Sequence, residues 1–96
     1  MQKVIPQKFA CPCCGHKTFF YEPDGSFVIC PVCYWEDDIV QQNDPDFEIG
    51  ANHISLRQAQ HNFLEFEASK KEMLPNVRKA TEGEEKDDSW KPLERQ

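Results

Sequence analysis

Four of the five cysteines in this chain have the spacing of residues that bind a metal ion. Cys11 and Cys14 form one C-x-x-C pair, Cys30 and Cys33 form a second, and residues 15–29 separate the two pairs. This spacing is typical of a structural zinc site with four thiolate ligands. Such a site is tetrahedral and closed, so it holds a fold together and leaves no coordination position for a substrate. The pattern predicts Zn²⁺ at these four residues, with iron as the alternative because tetrahedral sulfur geometry suits both metals.

Each pair lies in a tight turn, or knuckle, with proline after its first cysteine. Pro12 and Pro31 fix the backbone φ angle there, and Gly15 can take a positive φ angle. Tyr34 occupies the matching position of the second knuckle, where a non-glycine residue in the left-handed region has a modest cost. We interpret Cys13 as a small filler outside the metal shell, with a reactive thiol as the alternative.

The residues between the knuckles predict a β-hairpin. Residues 16–22 and 27–30 are rich in aromatic and β-branched side chains, and residues 23–26 (Pro-Asp-Gly-Ser) have turn chemistry. A hairpin of this kind would bring the two knuckles together. We expect its aromatic residues to lie mostly in the core, although four on one hairpin cannot all face one side. These residues are Phe19, Phe20, Tyr21 and Phe27.

One amphipathic helix is predicted within residues 51–74. Ser55 and Gln58 fit a capping box, with Ser55 as the N-cap. Apolar residues at three- and four-residue spacing share one face, which we expect to pack on the hairpin. They are Leu56, Ala59, Phe63 and Phe66. Pro75 predicts that the helix ends near residue 74.

The rest of the chain is predicted to form an acidic loop and a tail. Residues 35–50 are the predicted loop, and its first four residues are the candidate partner-binding surface: Trp35, Glu36, Asp37 and Asp38. Residues 76–96 are polar and charged and lack a core face, which indicates a disordered tail. The expected fold is a small α+β domain over residues 1–75, with a zinc-ribbon-like hairpin, two cysteine knuckles and one amphipathic helix.

Composition and charge narrow the function classes. The chain has 96 residues and a formal net charge of −6, and four thiolates around a divalent ion make the charge more negative by roughly two. An acidic surface repels nucleic-acid phosphate and anionic lipid. The first residues lack the apolar run of a signal peptide, and no stretch is long enough to span a membrane. With an odd number of cysteines, we expect metal-bound thiolates in the cytoplasm rather than disulfides.

Several of these residues together resemble the cysteine-rich CPCC family of small bacterial proteins. The resemblance covers roughly residues 9–66. Its segments are Cys11-Pro-Cys-Cys-Gly15, Cys30-Pro-Val-Cys33, Trp35-Glu-Asp-Asp38, Gly50-Ala-Asn52, Ser55-Leu56 and Gln58-Ala59. It implies a bacterial, metal-binding protein, and it carries over no catalytic residues because the family has no settled activity.

Three functional hypotheses follow from these observations. The first is a non-catalytic structural zinc module that binds a protein partner, for example as an immunity or antidote protein against a basic toxin. The second is a rubredoxin-like iron electron-transfer protein, and the third is a nucleic-acid-binding ribbon, which the acidic charge opposes. We expect no enzyme, because the sequence has no evident Ser/His/Asp arrangement and no phosphate-binding loop.

Overall fold

The computed structural model describes residues 8–94, where short regular elements are joined by long irregular stretches. In chain order these elements are strand β1 (Phe9–Ala10), strand β2 (Lys17–Phe19), helix α1 (Ile39–Asn43), helix α2 (Leu56–Phe66) and a 3-10 helix (Lys71–Asn76). The two-stranded antiparallel hairpin, the helices and the clustered cysteines confirm the expected class, a small α+β fold of the zinc-ribbon type.

The strand pairing differs from the predicted hairpin. β1 and β2 pair in antiparallel fashion on either side of the first knuckle, with Phe9 opposite Phe19. In the described part of the chain, residues 16–22 and 27–30 do not form a ladder with each other. A C-x-x-C knuckle itself reverses the chain direction. The residues just before the knuckle therefore pair with those just after it.

The second knuckle also reverses the chain, and the residues on its two sides pair with each other. Ile29 forms a β-bridge with Glu36, and Phe27 donates its backbone N–H to the Asp37 carbonyl oxygen at 3.0 Å. The Asp37 N–H donates in turn to the carbonyl oxygen of Val28 at 2.9 Å. The two knuckles are therefore separate turns that meet at their cysteines.

The turn predicted at residues 23–26 is held by a buried carboxylate. Gly25 has a φ angle of 98°, in the region that glycine adopts without steric cost. The Oδ2 atom of Asp37 accepts the backbone N–H groups of Asp24, Gly25 and Ser26 at 3.1, 3.0 and 2.9 Å. The Ser26 hydroxyl adds a fourth hydrogen bond at 2.9 Å. Hydrogen bonds to a charged acceptor are the stronger kind, so Asp37 ties this turn to the chain that leaves the second knuckle.

The core surrounds the cysteines. All five cysteines belong to it together with Phe19, Val32, Trp35, Leu56, Ala59 and Phe63. Three of the residues predicted for the apolar face of α2 are buried there, and Phe66 is half-buried. The helix thus packs on the knuckles, and its apolar side chains enclose the sulfur atoms.

The prediction that the aromatic residues of 16–30 lie mostly in the core is wrong for three of the four. Phe19 is buried, whereas Phe20, Tyr21 and Phe27 are 62%, 80% and 62% exposed. The cause is the length of the pairing, because β2 ends at Phe19 and the chain beyond it leaves the core.

Helix α2 begins where the sequence predicts. Ser55 accepts the Gln58 backbone N–H at 3.1 Å and is the N-cap. The Gln58 side chain donates to Asn62 at 2.8 Å rather than to Ser55, so the capping box is half formed.

The end of α2 comes earlier than expected. The helix stops at Phe66, because Glu67 adopts a left-handed conformation with a φ angle of 66°. The chain then turns so that the Ser69 N–H donates to the Cys33 carbonyl oxygen at 2.9 Å. This contact with the second knuckle overrides the helical pattern that extends toward residue 74.

The segment after residue 75, where the sequence predicts a disordered tail, lies against the first knuckle in the structure. The Lys17 N–H donates to the Glu85 carbonyl oxygen at 3.0 Å, and the Asp87 N–H donates to the Gly15 carbonyl oxygen at 2.9 Å. Backbone hydrogen bonds carry this contact, so the polar composition of the segment does not reveal it.

The chain near residue 93 follows helix α2. The Leu93 N–H donates to Oε1 of Gln60 at 2.7 Å, and Nε2 of His61 donates to the Leu93 carbonyl oxygen at 2.7 Å. The division into a domain and a tail at residue 75 stays a prediction, and residues 1–7 and 95–96 lie outside the described part of the chain.

Candidate metal centre

The four predicted ligands come together. The Sγ atoms of Cys11, Cys14, Cys30 and Cys33 lie within 4.8 Å of one another, and all four residues are fully buried. Cys11 and Cys33 are 3.6 Å apart and Cys14 and Cys30 are 3.8 Å apart, measured between sulfur atoms. A tetrahedral site with Zn–S bonds of about 2.3 Å places its sulfur atoms about 3.8 Å apart. The chemistry and spacing of these donors fit a metal ion.

The first knuckle is shaped by two backbone hydrogen bonds. The Gly15 N–H donates to the Cys11 carbonyl oxygen at 2.8 Å, and the Cys11 N–H donates to the His16 carbonyl oxygen at 2.9 Å. Gly15 has a φ angle of 80°. These contacts close the turn and aim both of its cysteine side chains inward.

The second knuckle repeats this pattern. The Tyr34 N–H donates to the Cys30 carbonyl oxygen at 2.8 Å, and the Cys30 N–H donates to the Trp35 carbonyl oxygen at 2.9 Å. Tyr34 has a φ angle of 68°, so it adopts the left-handed conformation of Gly15 although it carries a side chain. Two equivalent turns thus supply two sulfur atoms each.

Two hydrogen bonds reach the sulfur atoms from outside the ligand set. The Thr18 hydroxyl donates to Sγ of Cys30 at 3.1 Å, and the Trp35 N–H donates to Sγ of Cys33 at 3.4 Å. Donors of this kind stabilise thiolate charge and orient the ligands. Thr18 is a functional residue that sequence reasoning missed, since a lone threonine in a strand carries no metal signal.

The pKa values of the clustered thiols show how burial and neighbouring thiols affect their charge. Burial raises the pKa of the Cys11 thiol and of the Cys33 thiol. Hydrogen bonds from neighbouring thiols, that of Cys11 foremost, hold the pKa of Cys30 well below its usual range. One thiolate is therefore favoured by its neighbours, whereas four buried thiolates require a positive ion between them.

Cys13 lies in the same core without joining the ligand set. It is fully buried, and burial raises the pKa of its thiol. Because the thiolate is the nucleophilic form, a buried thiol of this kind is inert. These properties favour the interpretation of Cys13 as a filler over that of a reactive thiol.

Trp90 covers the first knuckle from the C-terminal segment. Its indole N–H donates to the Pro12 carbonyl oxygen at 2.9 Å, and Nε2 of Gln60 donates to the same oxygen at 2.8 Å. A Cβ atom at position 15 would lie 2.6 Å from the Trp90 ring, so only glycine fits beneath it. The polar composition of residues 76–96 gave no sign of this contact.

The residues predicted as a partner surface take internal positions instead. Trp35 is 1% exposed, Asp37 is fully buried and Asp38 is 8% exposed, while Glu36 is half-buried. Carboxylates are normally solvated, but those of Asp37 and Asp38 accept hydrogen bonds from backbone N–H groups that would otherwise be unpaired in the interior. The run Trp35–Asp38 therefore does not present the acidic surface that its sequence suggests.

Asp38 holds the start of α1 and the loop that follows it. Its Oδ1 atom accepts the Val40 N–H at 2.9 Å, and its Oδ2 atom accepts the Ala51 N–H at 2.9 Å. The hydrogen bond from Ala51 is the main reason that the pKa of Asp38 is lowered. The sequence analysis predicted a loop here, and helix α1 with its aspartate N-cap was missed.

The sequence of this chain matches one known protein family. The fold and the site define a class: a small α+β protein with a zinc-ribbon-like fold and four clustered cysteines that could hold a metal ion. The family model for cysteine-rich CPCC proteins matches residues 9–84, and the chain belongs to that family. A comparison with curated proteins found no match. Within residues 8–94, no helix is long and apolar enough to cross a membrane.

Proposed function

We propose that this protein is a non-catalytic structural zinc module of the cytoplasm that binds a protein partner. The observation that carries the proposal is the complete burial of all four cysteines. A substrate cannot reach such a centre, and a closed set of four thiolate ligands is typical of zinc that stabilises a fold. The recognition surface must then lie elsewhere on the molecule.

An exposed apolar surface supports the proposal of a partner. We call it the aromatic patch and define it by four exposed apolar residues that line one cavity: Phe20, Tyr21, Val28 and Ile29. Clusters of exposed apolar side chains on a small protein mark interaction sites more often than chance. Glu22 and Asp24, both exposed, lie between the two halves of this surface in sequence.

The partner that fits this surface is a basic protein that contributes an apolar anchor. The patch supplies apolar contact area, and the net charge of −6 attracts positive charge and speeds association. An immunity or antidote protein that neutralises a basic toxin is one form of such a function.

A pull-down with matched variants tests the proposal. Phe20→Ser and Val28→Ser together remove apolar area from the patch, and Ile49→Ser is the control because Ile49 is 80% exposed and does not line the cavity of the patch. We expect the double variant to keep its metal and thermal stability but lose one specific basic protein that the wild type and the control retain. Dimerisation that the double variant abolishes, or no protein lost selectively, would overturn the proposal.

An iron electron-transfer function is the second candidate, favoured by the hydrogen bonds to Cys30 and Cys33. Donors to the sulfur atoms tune the reduction potential of iron–thiolate sites. Protein made in medium that supplies both iron and zinc decides between the metals. Colourless protein with zinc supports the structural module, whereas red protein that bleaches reversibly on reduction supports electron transfer.

A further inference from the structure

A cavity of about 340 Å³ lies between helix α2 and residues 74–80, outside the metal centre. Phe63 and Phe66 line it from the helix, and Leu74 and Val77 line it from the opposite segment. Its volume is at the lower end of the range of roughly 300–1,000 Å³ in which small-molecule sites fall. Leu74 is nevertheless 45% exposed, so part of this apolar wall is open to solvent.

The lining of the cavity includes one residue from or next to each knuckle. Val32, which stands between the cysteines of the second knuckle, is buried against it, and His16 directly follows the first knuckle. The His16 Nδ1 atom donates to the Glu84 carbonyl oxygen at 2.8 Å, which fixes the ring in place. A molecule in the cavity would therefore contact both halves of the metal centre at once.

Several cationic side chains lie in or near the cavity, although the chain as a whole is acidic. Lys79 lines the cavity, is exposed, and belongs to no ion pair within residues 8–94. Lys71 and Lys86 place their Nζ atoms 6.0 Å and 5.9 Å from the ring centroids of Phe66 and Phe63. Arg78 also lines it but is paired with Glu84, and Glu67 is the one carboxylate among the lining residues.

We propose that this cavity binds a small amphipathic carboxylate, such as a medium-chain fatty acid or an aromatic acid. The apolar body packs between Phe63, Phe66 and Leu74, and the carboxylate lies at Lys79 on the open side. Apolar walls with few polar groups that fix orientation are the usual design of such sites. This site is distinct from the aromatic patch, so it stands or falls independently of the proposed protein partner.

Titration of the metal-loaded full chain with decanoate, below its micelle concentration, tests the proposal. We expect saturable changes in the amide NMR signals of Val32, Phe66, Val77 and Lys79. Decanol is the neutral control and should bind roughly twofold to fivefold more weakly, since it lacks the charge that the exposed lysine attracts. The cationic decylammonium ion should not bind there.

Two variants complete the test, both checked first for unchanged metal content and melting temperature. Lys79→Glu should weaken decanoate binding by roughly fivefold because repulsion replaces attraction, and Lys91→Glu, at an exposed position outside the cavity lining, should leave it unchanged. Equal binding of decanoate and decanol, or signal changes confined to the aromatic patch, would overturn the proposal. No saturable change up to the solubility limit would also overturn it.

Discussion

Gln41 shows how single buried side chains hold this chain around its metal centre. It is fully buried, and its Nε2 atom donates to the carbonyl oxygens of Phe47 and Ile54, each at 2.8 Å. Its Oε1 atom accepts from Nδ2 of Asn52 at 2.8 Å. A buried amide that satisfies both its donor and its acceptor in this way fixes three stretches of chain in one arrangement.

A change at Gly50 should break this arrangement. A Cβ atom at position 50 would lie 2.5 Å from the Cδ atom of Gln41 and 2.8 Å from Oδ2 of Asp38. Overpacking of this kind costs about 1–3 kcal/mol, so we expect Gly50→Ala to lower the free energy of unfolding by that amount. Gly83→Ala is the control, because its nearest contact would be Lys8 Nζ at 3.9 Å. Urea denaturation with zinc in excess measures both, and equal stabilities would contradict this account.

Glu84 is a buried carboxylate with a full set of donors. It is 5% exposed, and its two oxygen atoms accept from the Arg78 guanidinium at 2.7 and 2.9 Å. The Thr81 N–H and hydroxyl add hydrogen bonds at 2.9 and 3.0 Å. The Arg78 guanidinium is the main reason that the pKa of Glu84 falls to about 2.

This lowered pKa makes the contribution of Glu84 depend on pH. The folded-state pKa lies below the unfolded value of about 4.3, so the ionised carboxylate stabilises the fold above that pH. The stabilisation is lost as the pH falls through the unfolded pKa toward the folded pKa. We expect Glu84→Gln to cost about 1–3 kcal/mol at neutral pH.

Urea denaturation of wild type and Glu84→Gln across a pH series measures this dependence. The difference between the two proteins should be constant near neutrality and should shrink below about pH 4.5. Because acid also protonates the thiolates, the comparison uses the difference between variants rather than either stability alone. A difference that does not vary with pH would contradict the role given to the carboxylate.

At the scale of elements, the two knuckles have the same backbone conformation but are covered by different residues. Gly15 and Tyr34 both have positive φ angles, 80° and 68°. A side chain is therefore tolerated at this point of the turn. Glycine is required in the first knuckle because Trp90 packs directly on it.

A double-mutant cycle tests this explanation. Gly15→Ala should lower the free energy of unfolding by about 1–3 kcal/mol, because the new methyl group displaces the Trp90 ring. In a Trp90→Ala background, the same change should cost much less, since only the modest cost of the backbone conformation remains. Thermal unfolding of the four proteins gives the coupling energy. A coupling near zero would show that the backbone alone demands glycine at position 15.

The elements also show what the sequence could predict. The pairing of the four cysteines in two knuckles, the Ser55 N-cap and the turn at residues 23–26 depend on local chemistry, and each is found where it was predicted. The pairing of the strands, the early end of α2 and the burial of Asp37 depend on contacts between distant residues. Local propensity says nothing about contacts between distant residues. These contacts form only when the folded chain brings the two knuckles together.

At the scale of the whole molecule, the C-terminal segment completes the cover of the metal centre. Trp90 packs on the first knuckle, and the backbone near Leu93 is bound to α2. The family model matches residues 9–84, so Trp90 lies beyond the matched region. The acidic net charge of −6 leads us to expect no nucleic-acid binding by this chain.

Truncation decides whether the segment after residue 75 is part of the folded unit. We expect a chain cut at that point to bind one metal ion but to lose several kcal/mol of stability, since the contacts of Glu84 and Trp90 disappear together. Metal exchange to a chelator should also be faster. A chain ending at residue 94 is the control. Unchanged stability of the shorter chain would support the division into a domain and a separate tail.

The central claim is that four cysteines hold one zinc ion on which the fold depends, and native mass spectrometry tests it most directly. We expect one zinc ion per chain in the wild type and in Cys13→Ala, and none in the double variant Cys30→Ser with Cys33→Ser. Structural zinc supplies roughly 10–16 kcal/mol of apparent binding energy, so the double variant and the chelated wild type should be unfolded by circular dichroism. A metal-free wild type that stays folded, or a double variant that keeps its zinc, would contradict the account.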